Sequence, residues 1–406
     1  MKKLVISILL IGGLFLSGCS NSNSNLSPNI NSKDEVVNPK PENIDVVQNK
    51  IDAMSLDDKI GQLVIVGLDG YTMNNNINNL IKDHKVGGFI LFRNNVATSN
   101  QLVSLINSLK TTNSQNKTPL FISVDEEGGR VSRIPNEIKK LPSNQVIGEK
   151  NDGALSYNIG KIIAEELKTF GFNMNFAPVL DINSNPNNPV IGDRAFGSTT
   201  DIVNKLGIKT MEGMIDNNII PVVKHFPGHG DTSVDSHVGL PVVNKDLTKL
   251  NAFELTPFNE AIKNNVDAIM VSHILLNKID SVYPASMSKV IITDILRGTL
   301  KFSGVVITDD MTMAAITKYN DIGDAAVKSF NAGSDIILVC HEYDNELKVI
   351  NSLKAAVQNN VISENRLNES VYRILKLKEK YIINNAAISS INIHEINNKI
   401  ENLLKE

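Results

Sequence analysis

The chain has 406 residues, of which 42% are apolar and 21% charged; this is ordinary globular composition with material for a large core, and it excludes a disordered or fibrous protein. The formal charge is −4, and removal of Lys2 and Lys3 with a leader takes it to −6, so nothing favours nucleic acid as a partner.

Lys2 and Lys3 precede an apolar run, Leu4 to Leu16, that is too short to span a bilayer comfortably, which is the pattern of a signal peptide. The run ends in Leu16-Ser17-Gly18-Cys19, which resembles a bacterial lipobox. That resemblance implies lipidation of Cys19 and an extracytoplasmic protein anchored to the membrane; the alternative is a signal-anchor helix with an incidental cysteine. Cys340, the one other cysteine, then has no disulfide partner in the chain and reads as a buried apolar filler. Residues 1–18 are thus expected to be leader. Residues 19–50, rich in Asn, Ser, Pro and charge, are expected to be a flexible tether.

Eight short β-branched runs follow: Gln62 to Gly67, Gly88 to Phe92, Leu120 to Val124, Phe172 to Asp181, Ile219 to His225, Ala268 to His273, Val305 to Asp309 and Ile336 to Cys340. Between them, apolar residues at three-and-four spacing predict helices over Gln101 to Lys110, Tyr157 to Phe170, Ile202 to Asp216, Leu247 to Lys263, Ser288 to Leu300 and Ile322 to Ala332. Strand and helix in alternation imply right-handed βαβ units and a parallel sheet. Eight near-continuous apolar strands fit one (β/α)8 TIM-type barrel, over residues 51–382, better than an open sheet. A further helix is expected from Ser363 to about Tyr381, and residues 383–406 read as a helical tail that packs on the barrel.

Polar residues sit at strand after strand end: Arg93, Asp125, Asp181, Lys224 and His225, His273, Asp309 and Asp310, and His341. In a barrel these ends share one rim, where active sites lie. Three segments concentrate the chemistry. Lys224 to His237 holds three histidines, His225, His229 and His237, and is broken by Pro227 and glycines, so it is a loop; Asp235, two residues from His237, can hold one ring nitrogen and leave the other to face a substrate. Gly304 to Met311 is a buried strand breaking into Asp309 and Asp310, where one acid can attack an anomeric carbon. Val124 to Arg133 joins a strand-end acid, Asp125, to a Gly-Gly turn and two arginines, a set suited to neutral hydroxyls and an anionic or acetamido group.

Together with Asn188 to Phe196, these segments resemble family 3 glycoside hydrolases of the β-N-acetylhexosaminidase branch, over about Ile51 to Tyr381. The resemblance implies Asp309 as nucleophile, His237 as acid/base with Asp235 as its partner, sugar contacts from Asp125, Arg133, Arg194, Lys224 and His225, and His229 and Asp231 as loop architects. It implies exo-hydrolysis of terminal β-linked N-acetylglucosamine with retention and without cofactor or metal; the location that the leader implies favours glycan or muropeptide fragments of peptidoglycan as substrate, and a monomer is expected. Glu126 stands where the resemblance leads one to expect glutamine or histidine, a change expected to alter contacts beyond the first sugar. Because an imidazole would serve as a neutral base in the second step, phosphorolysis is an alternative. Two further alternatives are a metal-dependent hydrolase using His225, His229, Asp231 and His237, and a sugar-binding lipoprotein, the latter poorly matched to a chain without Trp.

Overall fold

In the computed structural model, which describes residues 45–405, the apolar runs become eight parallel strands. They are β1 (Val64–Val66), β2 (Gly88–Leu91), β3 (Phe121–Val124), β4 (Met174–Asn175), β5 (Ile220–Phe226), β6 (Ala268–Val271), β7 (Val305–Thr308) and β8 (Ile337–Val339). Each pairs with the next, β8 pairs back onto β1 from Val64–Ile337 to Val66–Val339, and a bridge between Ile307 and Ile336 closes the ring. Every strand residue is buried, because one face fills the barrel and the other meets helices. The fold is a (β/α)8 barrel.

Local chemistry sets the helix ends. Asp152 accepts hydrogen bonds from the N–H groups of Ala154 and Leu155 to start Gly153–Phe170, and Gly171, at φ +95°, ends it. This helix lies close against Thr200–Asp216: a Cβ on Gly160 would stand 2.1 Å from Thr210 O, and one on Gly213 2.2 Å from Tyr157 O. Only glycine permits that approach.

Several expectations are corrected. The predicted helix Leu247 to Lys263 is two, Leu247–Ala252 and Thr256–Lys263, because Pro257 lacks the N–H that a continuous helix would donate and its ring crowds the preceding turn. The fourth strand pairs at only Met174–Asn175; Pro178 interrupts the ladder, which resumes at a bridge between Val179 and Lys224. The helix expected over Ser288 to Leu300 is wound as a π-helix at Val290–Thr299. The tether expected over residues 19–50 overlaps folded chain at its end: Asp45 caps a helix, Val46–Asp52, that buries Val47 and Ile51. The leader, Cys19 and the rest of the tether lie outside the described residues.

This first helix sits beneath the N-terminal ends of the strands. Lys117, shortly before β3, donates to Ala53 O at 2.9 Å, and Lys85, shortly before β2, pairs with Asp58 at 2.6 Å. The same end of the barrel is closed by Lys378, from helix Glu364–Lys380, whose ammonium donates to Gln62 Oε1, Gly87 O and Pro119 O over the Phe121 ring. After that helix the chain returns along the barrel side, and helix Ile393–Lys405 buries Ile396, Ile400 and Leu403. Lys399 pairs there with Glu165 at 2.9 Å, and Asn397 donates to Glu137 O.

Candidate active site

A cavity of about 440 Å³ opens among the C-terminal ends of the strands. Asp125, Arg133, Arg194, Lys224, His225, His237 and Asp309 all line it, although they come from four different segments of the barrel. Asp235 stands behind His237. Two consecutive residues, Lys224 and His225, both reach the cavity where a regular strand would send them to opposite faces; the pairing register of β5 with β6 shifts between Val223 and Phe226, and this irregularity turns the two the same way.

The floor is an ion network. Lys224 Nζ lies 2.6 Å from Asp125 Oδ1 and 2.7 Å from Glu127 Oε1, and Arg194 binds Glu127 with two N–H groups at 2.7 and 2.9 Å. Burial of Glu127 favours its acid form, but the Arg194 and Lys224 charges outweigh that and hold the carboxyl far below the usual carboxylate range. Burial likewise works against the Lys224 charge, and Asp125 and Glu127 reverse it, raising its pKa. Asp181 Oδ2 lies 2.6 Å from His225 Nδ1, which turns the other ring nitrogen, Nε2, toward the cavity, where Arg194 approaches it at 3.4 Å. These groups offer an array of fixed donors and acceptors suited to a ligand rich in hydroxyls. Apolar walls from Phe176, Met270 and Leu338 face the rest.

The two adjacent acids after β7 differ by their partners. Asp310 is saturated: Oδ1 accepts from Thr312 N and Cys340 N, and Oδ2 from Thr312 Oγ1. Asp309 accepts at Oδ1 from Asp310 N at 2.8 Å, and its carboxylate faces the cavity. Burial opposes ionisation of Asp309, but the imidazoles of His273 and His225 and the Asp310 N–H prevail and hold its pKa below the ordinary value. An ionised carboxylate with a free oxygen is what nucleophilic attack requires. His273, buried, fixes this corner by bonding Ser286 Oγ and Asp310 O.

On the opposite side, both the backbone N–H and Nδ1 of His237 bond Asp235 Oδ1, at 2.8 and 2.7 Å. The ring is 68% exposed, and Nε2 is left for a substrate atom. Burial of Asp235 works against its charge, yet the His237 N–H and ring keep its pKa low. His229 and Asp231 shape the loop: His229 Nδ1 meets Thr232 Oγ1 at 2.7 Å, and Asp231 pairs with Lys245 at 2.8 Å. The four residue types that suggested a metal centre therefore each hold a separate partner: Asp181 for His225, Thr232 for His229, Lys245 for Asp231 and Asp235 for His237.

Two residues that the sequence left without a role are Glu127 and Asp181. Each is a buried acid at or next to a strand end, and the signal available was the nearby excess of Lys224, Arg194 and two histidines needing counter-charges. Phe92 and His341, stacked at 5.1 Å between centroids, also line the cavity. Glu126 is a correction: it turns away from the sugar site, buried, with Oε2 accepting from Arg133 N at 2.8 Å, and burial pushes its pKa up to about 7. It shapes the turn that presents Arg133. Cys340 is buried as expected, but its side chain belongs to the cavity wall beside Asp310 rather than to the interior alone.

Residues 55–377 match the family described as Glycosyl hydrolase family 3 N terminal domain. A beta-hexosaminidase A from Pseudoalteromonas piscicida is 38% identical over 340 residues, covering 78% of this chain and 57% of its own length. A beta-hexosaminidase from Nitrosomonas eutropha is 34% identical over 77% of this chain and 91% of its own. Among solved structures, a glycoside hydrolase family 3 beta-N-acetylglucosaminidase from Paenibacillus sp. superposes with a TM-score of 0.83 at 40% identity, over 86% of this chain and 68% of that one. With its barrel, its strand-end acids and a match across most of its length, the chain belongs to glycosyl hydrolase family 3 and is a glycoside hydrolase.

Proposed function

We propose that the protein is a retaining β-N-acetylhexosaminidase that removes terminal non-reducing N-acetylglucosamine. Asp309 attacks the anomeric carbon, His237 gives its Nε2 proton to the departing oxygen, and the same imidazole then takes a proton from the water that hydrolyses the glycosyl-enzyme. The observation that carries this reading is the pairing, across one sugar-sized cavity, of an ionised carboxylate with an imidazole whose other nitrogen is held by a carboxylate. The relatives named above, a beta-N-acetylglucosaminidase and beta-hexosaminidases, support the choice of sugar. Turnover of a chromogenic β-N-acetylglucosaminide tests the activity, and a slow fluorosugar tests the mechanism by labelling Asp309. Labelling at Asp310, or an inverted product, overturns it. Products formed in phosphate buffer separate hydrolysis from phosphorolysis: free N-acetylglucosamine in one case, its 1-phosphate in the other.

The cellular setting belongs to the same proposal. Cys19 is lipidated and holds a monomeric enzyme at the outer face of the cell membrane, where its substrates are peptidoglycan fragments with N-acetylglucosamine linked to N-acetylmuramic acid. The Leu-Ser-Gly-Cys ending of the leader supports this. Cys19→Ala should release active protein from the membrane fraction; a variant that stays bound points to an uncleaved helix.

A further inference from the structure

The loop that carries His237 is tied down unequally. Its first half lies flat on the segment after β4: Asn188 Nδ2 donates to His229 O at 2.8 Å, Asn185 Nδ2 to Thr232 O at 3.2 Å, and a Cβ on Gly230 would stand 1.7 Å from Ile182 O. Lys245 holds Asp231 as well, and itself pairs with the buried Glu254. The second half, residues 233–239, contains both Asp235 and His237. Its hydrogen bonds beyond the loop, among the described residues, are two: Ala315 N donates to Ser236 O at 3.1 Å, and Lys318 Nζ donates to Val238 O at 2.7 Å. These acceptors flank His237 on either side. Both donors lie on the short segment that follows Asp309 and Asp310, where helix Ala314–Thr317 forms and Met313 N bonds back to Asp310 O.

We propose that Lys318 is a positioning residue for proton transfer: by holding Val238 O, it fixes the His237 half of the loop onto the segment that also carries Asp309. The inference rests on His237 being the acid/base. Ser236 is buried and bonded through its backbone, so the residue before His237 is fixed by the fold itself. Val238, 66% exposed, has only the Lys318 bond to hold it from outside the loop. Asp235 sets the tilt of the imidazole, but it rides on the same half of the loop and cannot set its distance from Asp309. That distance decides whether Nε2 reaches the glycosidic oxygen, and a misplacement of an ångström is costly in such a transfer.

The test uses the full-length protein with two substrates, one bearing an unactivated sugar as leaving group and one a dinitrophenol that departs without protonation. Lys318→Met should lower kcat/KM on the unactivated substrate by roughly three- to tenfold, the scale of one hydrogen bond to a carbonyl, with kcat/KM on the dinitrophenyl glycoside retained, because that quantity reports glycosylation and the phenol departs unprotonated, while kcat on the same glycoside falls by a comparable factor as deglycosylation loses its positioned base. Lys318→Arg should restore the loss, since it too can donate to Val238 O. Placed on a His237→Ala background, Lys318→Met should add no further loss, because it acts through residue 237. An equal fall in kcat/KM on both substrates by Lys318→Met, no fall on either, or an added loss in the double variant overturns the proposal. If His237→Ala alone lowers kcat/KM on both substrates equally, it is the acid/base reading that falls, and the double variant still reports whether Lys318 acts through that position.

Discussion

Asp309 and Asp310 are chemically identical neighbours, and only their partners separate them. Asp310 spends its oxygens on Thr312 and Cys340, so Asp310→Asn should cost about 1.5–3 kcal/mol of stability, as hydrogen bonds to a charged group do, and be seen first as a lower denaturation midpoint. Asp309→Ala should do the reverse: kcat falls by roughly three orders of magnitude or more while the midpoint barely moves. Under the proposed retaining mechanism, His237→Ala should separate the two steps. With an unactivated leaving group the first step slows severely; with an activated phenol it is spared, and the glycosyl-enzyme accumulates, which mass spectrometry of the intact protein detects. His229 sets a pH limit. Burial, and then the nearby His225, hold its pKa down to about 4 against 6.5 in an unfolded chain. The unfolded state therefore binds the proton more readily between these values, and the folded state loses stability as pH falls from about 6.5 to 4. Denaturant melts across that range should show the loss, and His229→Gln should flatten it.

At the scale of elements, the contact between helices Gly153–Phe170 and Thr200–Asp216 is the least tolerant. Each of Gly160 and Gly213 faces a backbone carbonyl of the other helix or its turn, which cannot swing aside as a side chain would. Gly160→Ala should therefore destabilise by about 1–3 kcal/mol, read as a shift in urea midpoint at unchanged kcat. The barrel strands were legible in the sequence because burial on both faces leaves uninterrupted apolar runs, and their order around the ring follows from short right-handed crossovers. What failed were interruptions: Pro178 and Pro257 cut elements whose apolar spacing continues past them. Helices Asn75–Lys82 and Tyr343–Gln358 went unread because Asn and charge dominate their exposed faces. The site residues at strand ends were legible for a related reason, since a polar group terminating a buried strand has few other places to go. Glu127 and Asp181 were not, because their role depends on Lys224, Arg194 and His225 arriving from other strands. The two-residue ribbon of Val242–Val243 with Leu275–Leu276, which joins the loops after β5 and β6, is too short for any period to show.

For the molecule as a whole, the terminal helix contributes packing rather than chemistry. It buries Ile396, Ile400 and Leu403 against the barrel side, and aliphatic side chains are worth about 1.5–3 kcal/mol each when fully buried. Deleting residues 391–406 should lower the melting midpoint by several degrees yet leave kcat/KM on a chromogenic substrate unchanged, because Arg133 is held by Glu126 and not by the tail. The other end of the described chain has a different consequence. Asp45 and its helix lie under the pole sealed by Lys378, and the catalytic mouth opens at the opposite pole. A reporter domain joined directly ahead of Asp45 therefore starts from the back of the barrel, and kcat/KM on a small chromogenic substrate should be unchanged by it.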